Sequence, residues 1–131
     1  MTTTVLKPSS ENIPEITTIS LRTLKDSTTI AAENSATLID CSINDFVRLN
    51  LLSDTHLTFS GGIKDGQQIV VAIVQADTTP HVVTYSSNVS LGYDVFSFPV
   101  LSETIGKLDR LAFMYDAVAN TYNLVGYSRG Y

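Results

Sequence analysis

The residues able to do chemistry are few and scattered. His56 and His81 are the only histidines and Cys41 is the only cysteine, and no His-x-His, Cys-x-x-Cys or His-Glu-x-x-His spacing assembles a transition-metal site. Ser53-Asp54-Thr55-His56 brings hydroxyl, carboxylate and imidazole together in sequence, but a triad is a spatial arrangement and no nucleophile elbow surrounds these residues. Turn chemistry is the expectation there. Asp54 and Asp65 flank turns in which a carboxylate commonly bonds backbone, and neither sits in the alternating Asp/Asn pattern of a calcium loop. Nothing singles out a pair of carboxylates for glycoside hydrolysis. Gly61, Gly62 and Gly66 lack the Lys-Ser/Thr ending of a phosphate loop and precede a strand pattern rather than a helix, so a hairpin turn is expected. Cys41, in the run Leu38-Ile39-Asp40-Cys41, reads as a small buried hydrophobe. Asn88-Val89-Ser90 matches the glycosylation pattern, which carries no meaning without a secretory route. The expectation is a protein without cofactor or metal that is not an enzyme.

The elements that would position these residues centre on residues 57–74. Leu57 and Phe59 alternate with Thr58 and Ser60, the period-two pattern of a half-buried strand. Past the glycines, Ile69-Val70-Val71-Ala72-Ile73-Val74 is apolar at odd and even positions alike, so both its faces need cover. A second copy of the chain is the expected cover, with Val71 and Ile73 as candidate contacts. From Ala36 onward short strand patterns recur, over residues 37–41, 46–51, 81–85, 108–115 and 121–127, with turn residues between them. In the second of these Val47, Leu49 and Leu51 share the buried face. In the last two, Leu111, Phe113 and Tyr115 share a face, as do Tyr122 and Leu124. Val95-Phe96-Ser97-Phe98 adds a possible edge strand ended by Pro99. The fold class expected is all-β, an antiparallel β-sandwich of jelly-roll type over residues 36–131.

Residues 1–35 differ: rich in Thr and Ser, they hold Pro8 and Pro14 and no aromatic residue. They read as an extended arm that becomes ordered on a partner, burying Leu6, Ile13, Ile16 and Ile19. The 131 residues fit one domain, and only 16% are charged against roughly 25% in an average soluble domain, which favours an exterior partly covered by partners. A net charge of −5 with no basic cluster argues against nucleic acid. No segment approaches the ~20 apolar residues of a membrane span, and the N-terminus lacks a signal peptide's basic start and apolar core, so synthesis and folding in a cytoplasm are expected.

The order of these elements resembles the C-terminal β module of bacteriophage tail-fibre, head-fibre and capsid-decoration proteins, over about residues 38–127. The resemblance rests on Leu57-Thr58-Phe59-Ser60, Gly66-Gln67, Gln75 with Asp77, Val82-Val83-Thr84, the series Asp109, Leu111, Phe113, Tyr115 and Asp116, and Tyr122 with Gly126. Ala117-Val118-Ala119-Asn120 departs from the family's Gly-Thr turn, and there is no Trp. The resemblance implies a homotrimer on a virion surface, made in a bacterial cytoplasm. The expected function is a capsid decoration (cement) or head-fibre protein, held through its arm to the major capsid protein or another virion protein. The alternative is a tail-fibre tip that recognises a host glycan, for which Tyr93 and Phe96 would be the stacking platform. A tail fibre needs a shaft, and no repeat or heptad pattern is read in this chain, which favours the capsid.

Overall fold

The computed structural model describes residues 28–92 and 97–131. Among them are nine strands and no helix: β1 (Thr28–Ala32), β2 (Ala36–Asp40), β3 (Phe46–Leu51), β4 (Thr55–Ser60), β5 (Gln68–Gln75), β6 (Val83–Tyr85), β7 (Val89–Ser90), β8 (Leu108–Asp116) and β9 (Thr121–Ser128). They form a six-stranded sheet in the order β1-β3-β5-β8-β9-β7 and a three-stranded sheet in the order β2-β4-β6. The inner faces of the two sheets enclose a shared core. The all-β, sandwich-like class expected from the sequence is therefore present.

Strand direction corrects the antiparallel jelly-roll expectation. Successive strands β1 to β6 alternate between the two sheets, and each of β1 to β4 pairs in parallel with the strand two places on. Antiparallel pairing is confined to β5 with β8 and β8 with β9, while β9 pairs in parallel with β7. The first half of the chain thus winds as a flattened spiral. Ladder partners lie 19 positions apart between β1 and β3, as in Thr28 and Val47, and 20 apart between β2 and β4, as in Ala36 and His56. Such a recurrence was not among the sequence expectations.

Two further expectations are corrected by this winding. The glycine-rich segment 61–66 is a corner between sheets rather than a hairpin, because β4 lies in the small sheet and β5 in the large one. Gly61 takes a φ of +74°, and a Cβ on Gly62 would lie 2.6 Å from the Tyr115 ring, so the corner needs glycine at both positions. The domain boundary at residue 35 also moves, since β1 is part of the large sheet and Ala32 is buried. The remainder of the arm, with Leu6, Ile13, Ile16 and Ile19, lies outside the described residues.

Period-two burial assigns the faces. Val47, Leu49 and Leu51 point inward from β3, Leu57 and Phe59 from β4, Leu111 and Phe113 from β8, and Tyr122 from β9. Phe59 lies edge-on to Phe113 and Tyr122, with ring centroids 4.8 and 5.2 Å apart. Such pairs add about 0.5–1.5 kcal/mol each beyond area burial. Tyr122 also accepts the Gly62 N–H at 2.9 Å through its hydroxyl, tying the glycine corner to β9.

Buried glutamines bracket β5. Gln67 accepts the Ile63 N–H at 2.9 Å and donates to Cys41 O at 2.8 Å and Asp45 Oδ1 at 3.1 Å, so one side chain joins two corners. At the other end Gln75 donates to His81 O and accepts the His81 N–H, each at 2.9 Å. Gln67→Ala is expected to cost roughly 2 kcal/mol, because the Cys41 carbonyl it pairs stays buried. Urea unfolding of the variant measures it.

Candidate functional site

The strand with two apolar faces has one inside and one outside. Val71 and Ile73 are buried in the protomer's own core, so they are not available for the subunit contact expected of them. Val70 and Val74, on the opposite face of β5, are half-buried. The ladder sets their neighbours: Val70 lies between Phe46 and Ala112, Ala72 between Arg48 and Arg110, and Val74 between Asn50 and Leu108. The Arg48 guanidinium stands 5.5 Å from the Phe46 ring centroid and that of Arg110 stands 5.2 Å from the Tyr131 centroid. This outer face combines an apolar middle with two cations whose guanidinium groups lie over rings, a composition suited to packing against another protein surface.

A second feature arises from the unequal widths of the sheets. Part of the large sheet's inner face has no strand opposite it, and residues 97–103 cross there. Phe98 and Leu101 pack against the core, and Phe98 stacks on Tyr85 with ring centroids 3.9 Å apart. Burial pushes the Tyr85 hydroxyl up to about 12. Buried Asp109 anchors the crossing: Oδ2 accepts the Ser102 N–H, and Oδ1 accepts the Ser102 hydroxyl and the Gly130 N–H, each at 2.8 Å. A cleft of about 280 Å³ lies beside the crossing, lined in part by His81, Val82, Tyr85, Phe98 and Val100. A hollow of about 450 Å³ on its other side reaches Val125 and Tyr127. The expected platform residues Tyr93 and Phe96 lie outside the described residues.

The residues with chemical potential do not converge. Ser53 donates to Ala32 O and Asn34 O, His56 Nδ1 meets Thr84 Oγ1 at 2.9 Å on the small sheet's outer face, and Asp54 accepts the Val82 N–H. These three sequence neighbours therefore serve two segments, residues 32–34 and 82–84, and no triad forms from them. Cys41 is buried, and desolvation raises its thiol to about 11, far from a reactive thiolate. Among the described residues no group of three or more His, Cys, Asp or Glu is arranged to hold a metal ion.

His81 is the one imidazole between carboxylates. Its Nε2 lies 2.8 Å from Asp77 Oδ2 and its Nδ1 3.3 Å from Asp54 Oδ1. The bond to Asp77, joined by that to Asp54, holds His81 above its ordinary 6.5. Asp54 lies below its usual value through the Val82 N–H and then His81, and Asp77 through His81 and then the Thr78 N–H. The parallel register of β4 and β6 makes this meeting possible, by setting Thr55 opposite Val83. The imidazolium's contribution is fully present below 6.5 and is lost as pH rises through the raised folded value. That of the carboxylates is present above 3.8 and is lost as pH falls through their lowered values. The turn is thus firmest in mildly acidic solution. His81→Gln should flatten the dependence of melting temperature on pH across neutrality, and NMR titration of the wild-type ring should give a value above 6.5.

Comparison with protein-family models, with curated proteins and with solved structures gave no match.

Proposed function

We propose that the chain is a non-enzymatic structural protein of a bacteriophage virion, a homotrimeric capsid decoration or head-fibre protein on the particle surface. The observation that carries the reading is the outer face of the large sheet. There Val70, Ala72 and Val74 run between two arginine-bearing strands, on a face suited to subunit packing. The sequence resemblance supplies the trimer and the virion, and the residues ahead of β1 supply the attachment to the major capsid protein or another virion protein. The polar residues of that resemblance have structural duties in this fold: Gln67, Gln75, Asp77 and Asp109 each fasten a corner or a crossing. Native mass spectrometry of the purified chain should give a trimer at micromolar concentration, and particle imaging should place its density on the capsid. A monomer, or density only at the tail, overturns the reading.

A second reading, a tail-fibre tip that binds a host glycan, is favoured by the flank cleft, where exposed Val82 and Val100 stand beside the Tyr85–Phe98 stack. Protection of host cells from infection by the purified protein would support it over the capsid reading.

A further inference from the structure

Two connections of the chain meet at His81. Asp54 stands between β3 and β4, and Asp77 between β5 and β6. The imidazole lies between the two side chains, with Nε2 2.8 Å from Asp77 Oδ2 and Nδ1 3.3 Å from Asp54 Oδ1. Both ring nitrogens therefore face carboxylate oxygens, which only accept hydrogen bonds. An imidazolium donates from both nitrogens and satisfies both acceptors, whereas a neutral ring has one N–H and must turn a lone pair on one of the carboxylates. Only the charged ring suits both contacts at once.

The groups around the ring decide which contact yields when the proton leaves. Buried Gln75 clamps the His81 backbone, accepting its N–H and donating to its carbonyl, each at 2.9 Å. Asp77 holds the shorter contact to the ring, and its Oδ1 accepts the Thr78 N–H at 2.8 Å within its own turn. The Asp54 side chain is 74% exposed and has room in solvent, yet its Oδ1 is also the acceptor of the Val82 N–H, at 2.9 Å. Withdrawal of Asp54 from a neutral ring would thus strip the Val82 N–H of its partner too. The Thr55 N–H donates to Val82 O at 3.0 Å and does not depend on Asp54, so β4 and β6 stay joined. The flank cleft that His81 and Val82 line has two more titratable groups, Glu103 and Tyr85, and among the described residues neither is bonded to the His81 ring.

We propose that Asp54, His81 and Asp77 form a pH-operated clasp beside the flank cleft: the protonated ring pins the β3–β4 connection to the β5–β6 connection, and loss of the Nδ1 proton to solvent releases Asp54, and with it the Val82 N–H, while the bond to Asp77 is kept. The clasp is closed in mildly acidic solution and opens as pH rises through the folded value of His81, which lies above 6.5. In strong acid it opens by the other route, as pH falls through the lowered values of the two carboxylates. Opening leaves the cleft wall at Val82 fastened through its carbonyl alone, and the mouth of the cleft gains a negative charge. The clasp depends on neither the virion reading nor the glycan reading, and it is tested on the isolated protein.

Two measurements on the full chain decide it. Long-range nitrogen–proton correlation spectra of the His81 ring, followed across neutrality, should show both nitrogens protonated on the acid side and the remaining proton on Nε2 above the transition. Protection of the Val82 amide against hydrogen exchange, corrected for the intrinsic pH dependence of exchange, should fall at least about tenfold through the same transition, while the His81 and Thr55 amides keep theirs. Asp54→Asn retains an acceptor for the Val82 N–H and adds an amide donor for a neutral ring, so Val82 protection in that variant should be flat over the range. A neutral ring with its proton on Nδ1, Val82 protection that runs parallel to that of His81, or an Asp54→Asn protein that loses protection as the unsubstituted chain does would each overturn the inference. The ring spectra need no variant, so they decide the matter even if Asp54→Asn fails to fold.

Discussion

Val71→Asp is expected to leave no folded protein, and Val70→Asp, one residue away, to leave a folded protomer. Val71 is fully buried between Val47 and Leu111, where a carboxylate would have neither water nor a partner. That costs several kcal/mol, on the order of a domain's whole net stability. Ile73→Asp should be as severe, since its ladder neighbour on β8 is Asp109, a buried carboxylate whose oxygens already hold Ser102 and Gly130. Val70 stands on the half-buried outer face, where an aspartate reaches solvent in a lone protomer. If subunits pack through that face, Val70→Asp converts trimer to folded monomer. Circular dichroism melting and native mass spectrometry, run on both variants, separate the outcomes. A folded Val71→Asp protein would mean that the core is misassigned, and a Val70→Asp trimer would move the subunit contact to another surface.

The second large effect concerns attachment. Deleting residues 1–27, all that precedes β1, should give a folded trimer that no longer binds particles lacking the protein, whereas the full chain rebinds them. Deletion to residue 30 would cut into β1 and confuse unfolding with loss of binding. Leu6, Ile13, Ile16 and Ile19 could each contribute roughly 1.5–3 kcal/mol on burial, before the cost of ordering the segment. Three arms on one trimer would raise that through effective concentration. Co-sedimentation with stripped particles is the measurement. A truncated trimer that decorates as well as the intact one places the contact on the globular face, and one that still blocks infection of host cells favours the glycan-binding reading.

The strands most legible in the sequence are those with a firm alternation or a long apolar run. Residues 46–51 read correctly to the residue, and the faces of β4, β8 and β9 follow from period two. Alternation does not encode direction, however, because a parallel and an antiparallel strand bury the same positions; hence the spiral read as an antiparallel jelly-roll sandwich. The Gly61–Gly66 corner looked like a hairpin because both need glycine at positive φ, and only the sheet assignment tells them apart. In β5 both faces are apolar, so nothing in the run itself shows that Val71 rather than Val70 is inside. Thr28-Thr29-Ile30-Ala31-Ala32 is too weakly apolar to stand out, and β7 has only two residues. The ring of His81 meets a carboxylate 27 positions back, at Asp54, through the pairing of two parallel strands, a proximity that no local pattern carries. A signal for Gln67 and Gln75 was present all the same: a long polar side chain at each end of an otherwise apolar run.

The spiral winding also fixes when the protein can fold during its synthesis. Among the described strands, β8 and β9 are the only pair adjacent both in the chain and in the ladder, joined by the turn in which Asp116 accepts the Val118 and Ala119 N–H groups. Every parallel pair must first close a circuit of about 20 residues or more, and β5 waits for a partner in β8, where Gln68 meets Met114. The one rapid hairpin is thus the last of the described pairs to be synthesised, and the strand at the middle of the large sheet lacks its second neighbour until then. Until β8 emerges, the nascent chain carries β5 with one edge unpaired, so the large sheet cannot close before residues 108–116 are made.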